Sequence, residues 1–470
     1  MAAPASPDAL PPEPPSGASL PWTPALLLLM AGLLLSLLVA AMDSTVVGTA
    51  LPTIARELGG LSLYSWVFTG YLLTSTTSVP LWGRLADIAG RRRILLLGLA
   101  LFVGGSVLCG LAPNMPLLIA FRVLQGIGAG CVQPVVFTIV GDTFPIGQRA
   151  RLQGFFSAVW AVASVVGPIL GAVFVSTIGW RWIFDINLPI GIAAALMILV
   201  YHEPKRRAAD RSLDLLGALL LTLAIAGLLF GLGAGSATAK PNWLIAGLGA
   251  VLAVAFVLYE TRAKVPVVPL DLLRNRVVGP ALGAGVLAGT LMFGVTAYVP
   301  LFVQDALHQS AYAAGASAAP LSLGWPIGSI LAGRLLLKVG YERLLLAGSI
   351  ALVAGTGVLA AFSRTPVEIG ASAAVMGLGM GLISTPILIV IQASVGHERR
   401  GAATALNQLS RTIGGAVGVG LMGILIEGRS GAAELQIGVV DIYWALVAVA
   451  LATLLLCGGI LLRRRRPAPA

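Results

Sequence analysis

Charged side chains are scarce in this 470-residue chain, where Lys, Arg, Asp and Glu together make up 10% of the sequence. A soluble globular domain carries about 25% of these residues, which keep its surface in contact with water. Hydrophobic residues account for 57% of the chain. This composition excludes a soluble protein and indicates that most of the chain has lipid as its solvent.

Cysteine and histidine are also rare, with three of each. Cys109, Cys131 and Cys457 lie singly in apolar segments, which is typical of small packing residues and not of disulfides or a metal site. The histidines are scattered at the ends of segments. The sequence shows no nucleotide-binding loop, metal cluster or nucleophile–base set, so it predicts neither an enzyme nor a bound cofactor.

The apolar residues form runs of the length that a membrane-spanning helix requires, which is about 20 residues. A proline-rich segment at 1–24 precedes them, and its composition predicts a disordered cytoplasmic tail. Because the connections are short, the chain is predicted to be an all-α integral membrane protein with fourteen spans. The predicted spans are 25–55, 62–82, 93–111, 115–140, 151–176, 186–201, 214–235, 242–260, 277–304, 313–336, 343–362, 366–392, 401–426 and 440–462.

The positions of Lys and Arg predict the orientation of these spans. With a cytoplasmic N-terminus, 23 of the 30 Lys and Arg residues fall in inner connections or in the basic tail at 463–470, and five fall in outer connections. This bias predicts that both termini lie in the cytoplasm, and "inner side" below means the predicted cytoplasmic side. The net charge of +11 is then a topology signal beside anionic lipid and not a nucleic-acid surface.

Two similar stretches indicate an internal repeat. GRLADIAGRRRILLLG begins at Gly83, and GRLLLKVGYERLLLAG begins 250 residues further along the chain, at Gly333, with the same spacing between glycines. The glycine triplets that begin at Gly126 and Gly377 match at nearly the same offset. A duplicated six-helix unit explains these offsets, and both copies start on the inner side.

The repeat predicts how the chain is divided. We expect six-helix bundles at 25–201 and 277–462, related by an axis along the membrane normal, which is a recurrent transporter design. Two linker helices with cytoplasmic loops are expected between them, at 202–276.

Several motifs resemble those of the major facilitator superfamily. GRLADIAGRRR, which starts at Gly83, resembles the loop motif between its second and third helices, and RVLQGIGAG, from Arg122 to Gly130, resembles its helix-four motif. GPILG, from Gly167 to Gly171, is similar to the helix-five motif associated with antiporters. MDSTVVGTALP and WRWIFDINLPIG resemble the fourteen-helix branch, the drug:proton antiporters.

This resemblance implies the major facilitator fold and proton-coupled export of small hydrophobic or cationic compounds by alternating access, which is multidrug efflux. The membrane itself is expected to be the plasma (inner) membrane, as for the exporter that these motifs imply. The implied partners are a small-molecule substrate, protons and the lipid bilayer, and we expect a monomer that binds no nucleic acid. Two alternatives remain open. The chain could export a lipid or a dedicated metabolite, or it could be a membrane sensor of the same fold that moves nothing.

Asp43 is an isolated acid in an apolar helix. An ionised acid at the bilayer centre is unfavourable by about 2.5–3.5 kcal/mol on insertion scales, so Asp43 should face the bundle interior or a water-filled cavity. It either carries the coupling proton or, kept protonated, only bonds a neighbouring helix. Arg122, with Gln125 one turn further on, either tunes Asp43 or forms a structural ion pair. Pro52 matches Pro300 at an offset of 248, which places Leu291 at the position equivalent to Asp43, and the offset of 251 between the glycine triplets places Ala373 at that of Arg122. We therefore expect proton handling in the N-terminal half.

The loop motif is a candidate inner gate. Asp87 and Arg91 are four residues apart, and Gly83, Gly90 and three further arginines, Arg84, Arg92 and Arg93, lie near them. A carboxylate that lies at a helix N-terminus and pairs with arginine can hold the two halves together on the inner side. The alternative is that the basic residues only set the topology.

The helix-five motif combines a proline with small residues. Pro168 removes a backbone donor and kinks the helix, while Gly167 and Gly171 let a neighbouring helix approach closely. The motif is either simple packing or a bent contact that resists leakage through the closed pathway.

The remaining candidates are expected to line a substrate cavity between the halves. Aromatic and methionine side chains can form an adaptable apolar wall, although most aromatic residues of membrane proteins are packing or interface anchors. Arg411 either favours anionic groups or caps backbone carbonyls. The cavity candidates are Tyr71, Gln125, Trp160, Met292, Phe293, Trp325, Asn407, Gln408 and Arg411.

Overall fold

The computed structural model is all-α in the part of the chain that it describes. Its helices form two bundles with a helix pair between them. The tails predicted at 1–24 and 463–470 lie largely outside the described residues. Those residues are 21–59, 63, 66–201, 214–231, 242–263, 266, 268, 271–275, 277–309, 311–396, 399–426 and 432–464.

The first bundle consists of α1 (Pro24–Leu58), α2 (Trp66–Thr77), α3 (Val79–Ala89), α4 (Arg91–Gly110), α5 (Met115–Thr143), α6 (Ile146–Thr177), α7 (Trp182–Asp185) and α8 (Asn187–Ile198). Within it, α1 packs against α6 and α8, while α4 packs against α5 and α8. The predicted second span is divided into α2 and α3 by a turn at Ser78.

The linker region contains α9 (Leu215–Gly231), α10 (Trp243–Glu260) and the short α11 (Asp271–Arg274). The second bundle consists of α12 (Val278–Leu301), a π-helix (Phe302–Ala306), α13 (Ala311–Val339), α14 (Tyr341–Phe362), α15 (Pro366–Ala393), α16 (Arg400–Gly423), a 3-10 turn (Ile424–Ile426) and α17 (Ala432–Arg464). In this bundle α12 packs against α16 and α17, and α15 packs against α13 and α14.

Polar caps set the starts of several helices. The Thr23 hydroxyl accepts from the Leu26 backbone N–H at 3.3 Å at the start of α1. The Asn114 side chain accepts from the N–H of Leu117 at 3.0 Å at the start of α5. Each cap satisfies a backbone donor that has no partner inside its helix.

Eleven of the described helices are long and apolar enough to cross a membrane. The apolar segments Trp182–Ile198 and Leu216–Leu228 are shorter, and the α2–α3 segment is interrupted. The prediction of an all-α, multi-pass membrane protein is confirmed. The count of fourteen spans stays a prediction.

Paired glycines bring equivalent helices of the two bundles together in the same way. A Cβ atom added to Gly128 of α5 would lie 2.7 Å from the carbonyl oxygen of Gly98 in α4. One added to Gly379 of α15 would lie 2.7 Å from the carbonyl oxygen of Gly348 in α14. The same close crossing at positions related by the sequence repeat supports the duplication, because small residues let transmembrane backbones approach.

The bundles meet through helices of opposite halves, and the linker joins this contact. α13 packs along α6, and α16 packs along α3 and α5. The linker helix α9 pairs with α10 and also touches α2 of the first bundle and α16 of the second. On the α2 side, the rings of Trp66 and Phe230 have centroids 4.9 Å apart.

The glycine crossing of α14 and α15 gives a prediction on stability. Gly348→Ala should lower the melting temperature of the detergent-solubilised protein, because the new Cβ would lie 2.8 Å from the Gly379 carbonyl oxygen and overpacking costs about 1–3 kcal/mol. Gly357→Ala on the same helix is the matched control, since nothing lies within 4 Å of its added Cβ. Equal melting temperatures for the two variants would contradict a close crossing.

Candidate functional site

A buried ion pair lies inside the first bundle. Arg122 Nη1 is 2.6 Å from Asp43 Oδ2, and the two residues are 0% and 1% exposed. Gln125 completes a triangle, since its Nε2 donates to Asp43 Oδ1 at 2.8 Å and its Oε1 accepts from Arg122 Nη1 at 2.7 Å. The ion pair and these hydrogen bonds thereby connect α1 with α5, and Asp43 faces the bundle interior.

Two more helices contribute to this polar cluster. Asn187 of α8 donates to Asp43 Oδ1 at 3.3 Å and to the Ser106 hydroxyl of α4 at 2.8 Å. Ser106 also accepts from Gln125 at 3.1 Å and donates to the Phe184 carbonyl at 2.9 Å. The sequence analysis missed Ser106 and Asn187. The motif WRWIFDINLPIG contains Asn187 and was the available signal, whereas a helical serine often bonds only its own backbone.

Aromatic rings cover the guanidinium of Arg122. Its Cζ atom lies 4.0 Å from the centroid of the Tyr71 ring and 5.9 Å from that of Phe184, and its Nε donates to the Val67 carbonyl at 3.4 Å. Tyr71 and Gln125, expected at a cavity wall, are therefore buried partners of Arg122. Arg122 lies about two helical turns from the outer end of α5, so the cluster is nearer the outer side.

A second charged cluster joins the two bundles on the inner side. The Asp87 carboxylate accepts from the backbone N–H groups of Gly401 at 3.2 Å and Ala402 at 3.0 Å, at the start of α16. It also accepts from Arg91 Nη2 at 3.0 Å. A helix N-terminus has unpaired N–H groups and the positive end of the helix dipole, so it attracts a carboxylate.

Two residues extend the inner cluster across the interface. Arg91 Nε lies 2.8 Å from Asp142 Oδ2, and Arg400 Nη1 lies 3.2 Å from Asp142 Oδ1. Arg400 also donates to the Gly141 carbonyl at 3.0 Å. The sequence analysis counted Arg400 only as a topology charge and missed Asp142. An acid at the inner end of a span, among basic residues, was the signal.

Glycines permit the close approach at this cluster. A Cβ added to Gly83 would lie 2.8 Å from the Gly401 carbonyl oxygen and 2.6 Å from Ala405 Cβ. Gly90 and Gly340 precede α4 and α14 with φ of 98° and 83°, where other residues are strained. The glycine spacing of the motif therefore serves a backbone conformation and a helix contact.

The repeat-related contact on the other side of the interface is apolar. Gly333 lies against the backbone of Ala150 in α6, as Gly83 lies against α16. Leu337, which occupies the position equivalent to Asp87, has its Cδ1 2.8 Å from the place of a Cβ on Gly147. On the inner side, the contact of α3 with α16 is thus made by charged groups, and the repeat-related contact of α13 with α6 is made by apolar side chains.

Two further hydrogen bonds between the bundles lie between the inner side and mid-membrane. Gln392 Nε2 of α15 donates to the Phe137 carbonyl of α5 at 3.1 Å. The hydroxyls of Ser157 in α6 and Ser329 in α13 are 3.0 Å apart. In this structure the bundles are in contact on the inner side.

The helix-five motif forms the contact of α6 with α1. The Thr45 hydroxyl, two residues from Asp43, donates to the Ala163 carbonyl at 3.0 Å, and Gly167 leaves the space that this hydroxyl occupies. Gly171 is buried in α6, and the side chain of Pro168 lies outside the described residues. The motif therefore packs directly beside the buried acid.

The equivalent region of the second bundle has different chemistry. Leu291 and Ala373 are buried and apolar. Arg411 of α16 lies over the Trp325 ring of α13, with 4.6 Å from Cζ to the ring centroid, and donates to Met292 Sδ of α12 at 3.7 Å.

The other cavity candidates are dispersed. Asn407 is buried one turn from Arg411, and Gln408 is half-buried. The Phe293 ring lies against Gly415, and Trp160 is 40% exposed. The structure thus groups Met292, Trp325, Asn407 and Arg411, and it leaves Trp160 apart from them.

Comparison with known proteins identifies the family. The sequence profile of the Major Facilitator Superfamily matches residues 33–419, with a second match over residues 327–470. The chain belongs to the major facilitator superfamily. It is a multi-pass membrane transporter and not an enzyme.

Curated relatives and solved structures agree with this. The chain is 37% identical over 410 residues to the multidrug transporter protein MdtP of Bacillus subtilis, covering 86% of this chain and 76% of that one. It is 32% identical over 403 residues to the multidrug resistance protein B homolog of Mycobacterium tuberculosis H37Rv, covering 83% and 74%. The human organic anion transporter MFSD10 has a TM-score of 0.69 at 16% identity, covering 93% and 100%. The proton:xylose symporter XylE has a TM-score of 0.64 at 14% identity, covering 91% and 94%. The two structures show the fold.

The inner cluster gives a prediction on how the bundles are held together. In a variant with Ser157→Cys and Ser329→Cys, oxidation should join α6 to α13, because the native hydroxyls are 3.0 Å apart. Adding Asp87→Asn should reduce the yield of this crosslink about threefold or more. A hydrogen bond to a charged group contributes about 1.5–3 kcal/mol, so its loss weakens the contact that keeps the two bundles together on the inner side. The yield is measured by peptide mapping.

Asp271→Asn is the control for this experiment. Asp271 pairs with Arg399 on the same side of the membrane, but their side chains are 59% and 57% exposed, and such surface pairs contribute about 0–1 kcal/mol. An Asp87→Asn variant that crosslinks as fully as the Asp271→Asn variant would show that Asp87 does not hold the inner side closed.

Proposed function

We propose that this protein exports small hydrophobic compounds by proton-coupled alternating access, the activity called multidrug efflux. The observation that carries the proposal is the buried Asp43–Arg122 pair, with 2.6 Å between its charged atoms. The names of the two relatives, a multidrug transporter and a multidrug resistance protein homolog, support the export of varied compounds.

The ion pair can couple a proton to a movement of helices. Protonation of Asp43 would neutralise the carboxylate and leave the charge of Arg122 unbalanced in a buried site. Removing one partner of a buried pair is unfavourable by about 3–5 kcal/mol. Proton binding is therefore most favourable when α1 and α5 move at the same time and Arg122 gains other partners. Proton binding is in this way coupled to a change of conformation.

The inner cluster can supply the gate of this cycle. Opening the inner side would withdraw Asp87 from the N-terminus of α16 and separate Arg400 from Asp142. The present contacts correspond to the half of the cycle in which the inner side is closed. The apolar contact of Leu337 near Gly147 would open in the same movement, because it lies on the repeat-related side of the interface.

We place the protein in the plasma membrane with both termini in the cytoplasm. The bias of Lys and Arg toward inner connections supports this orientation. In it, the Asp43 cluster lies nearer the outer side, from which protons would enter during export.

Two alternatives make different predictions. A dedicated exporter of a lipid or metabolite would move one compound from a varied panel, whereas a multidrug exporter would move several. A sensor of the same fold would bind ligand without uphill movement, and a titratable pair that bridges α1 and α5 favours transport over sensing.

The proton step is tested with purified protein in liposomes under an imposed pH gradient. The panel contains ethidium as a cation, pyrenebutyrate as an anion and Nile red as a neutral compound. Asp43→Asn should reduce gradient-driven movement of every transported compound to the level of empty liposomes, because an amide does not exchange the coupling proton. Fluorescence of the accumulated dye gives the rate.

Two further variants complete this test. Glu57→Gln replaces an acid at the outer end of α1 that is half-exposed beside Arg181, and it should transport normally. Asp43→Asn with Arg122→Gln restores a neutral cluster, so its loss of transport cannot come from an unpaired buried charge. Uphill movement by this double variant at the native rate would exclude Asp43 as the proton carrier.

A further inference from the structure

Arg411 is a charged side chain at mid-membrane depth in the second bundle. It lies near the middle of α16, and the side chains it touches, Met292 and Trp325, lie near the middle of α12 and α13. Both α16 and α13 also pack against helices of the first bundle. Arg411 therefore lies among α12, α13 and α16, and two of these helices, α13 and α16, form part of the contact between the bundles.

The contacts of Arg411 leave its charge unbalanced. Its guanidinium meets an aromatic face and a thioether sulfur, and Nε is buried without a hydrogen-bond partner among the described residues. No ion pair joins Arg411 to a described carboxylate, whereas Arg122 in the first bundle is held by Asp43 at 2.6 Å. Burying an unpaired charge is strongly unfavourable, so an anionic group is the ligand that this position would favour.

The neighbouring amide is also unsatisfied. Asn407 lies one turn from Arg411, and its Oδ1 atom is buried without a hydrogen-bond partner in the described structure. Buried polar atoms in proteins are nearly always paired. The unpaired Arg411 N–H donor is the group that an anionic ligand would satisfy. The Asn407 oxygen is an acceptor, so it would bond to a donor group elsewhere on the ligand or to water.

We propose that the site formed by Arg411, Trp325 and Met292 selects amphipathic organic anions, with a carboxylate or sulfonate on Arg411 and an aromatic or aliphatic body against Trp325 and Met292. This inference rests on the proposed export function and specifies its substrate class. A guanidinium binds such groups through paired N–H donors, and stacking on a ring fixes its plane while the edge stays available. Organic cations, which the family resemblance suggests, would meet a like charge at this position.

Affinity for matched probes tests the proposal without a proton gradient. Pyrenebutyrate and pyrenebutyltrimethylammonium share an aromatic body and a four-carbon chain and differ in the sign of their charge. Fluorescence anisotropy with the full-length protein in detergent gives both dissociation constants. We expect the native protein to bind the anion about tenfold or more tightly than the cation, since a charge-assisted hydrogen bond has this magnitude.

Substitutions assign the preference to the side chain. Arg411→Gln should remove the preference, mainly by weakening the anion, and Arg411→Lys should retain part of it because the charge stays while the stacked fork is lost. Arg364→Gln is the matched control, since Arg364 is an exposed arginine at the outer end of α14. Gel filtration and melting temperature verify that each variant is folded. If the Arg411→Gln variant is unstable, the affinities of the Arg411→Lys variant for the two probes are compared with those of the native protein instead.

Three results would overturn the inference. They are equal or tighter binding of the cation by the native protein, failure to bind either probe, and an Arg411→Gln variant that keeps the anion preference. Proton-driven export is measured separately. Uphill transport of ethidium without anion preference would refute this proposal alone, whereas anion binding without uphill transport would refute export and leave the recognition site.

Discussion

A charge that enters the membrane must find its partner inside the protein, and this constraint determines the internal structure of the chain. Asp43 and Arg122 meet this demand with each other, which requires α1 and α5 to keep a fixed relation. Gln125, Ser106 and Asn187 then satisfy the remaining lone pairs and bring in α4 and α8. The first bundle is thus organised around one ion pair, and any step that changes the charge of that pair is felt by four helices.

The two halves share a backbone plan and differ in chemistry. The glycine crossings of α4 with α5 and of α14 with α15 are equivalent, and so are the glycine contacts of α3 and α13 with the opposite bundle. At the positions of Asp43 and Arg122 the second half has Leu291 and Ala373, and its own half-buried arginine, Arg411, lies elsewhere, on α16. At equivalent positions the two halves thus keep the same helix packing while their charged residues differ.

The sequence was sufficient to predict the class of fold and the principal charged pair. Apolar runs of spanning length predict helices because a helix satisfies its own backbone hydrogen bonds inside the bilayer. Two opposite charges within the spans have few possible partners other than each other. The sequence could not predict the partners of Asp87 in the second bundle. Gly401 and Ala402 contribute only backbone N–H groups, and they lie more than 300 residues away in the chain. Asp142 is equally hidden, because a charge at the end of a span is ordinary until the opposite bundle brings an arginine to it.

The linker helix α9 makes the two lateral faces of the transporter unequal. On one face, α6 and α13 touch each other directly, and their hydroxyls form a bond between the bundles. On the other, α9 lies against both α2 of the first bundle and α16 of the second and adds a layer of protein between the bundles and the lipid. A compound dissolved in the bilayer therefore meets the direct contact of α6 with α13 on one face and the three helices α2, α9 and α16 on the other. The two faces that the transporter presents to lipid are thus structurally different.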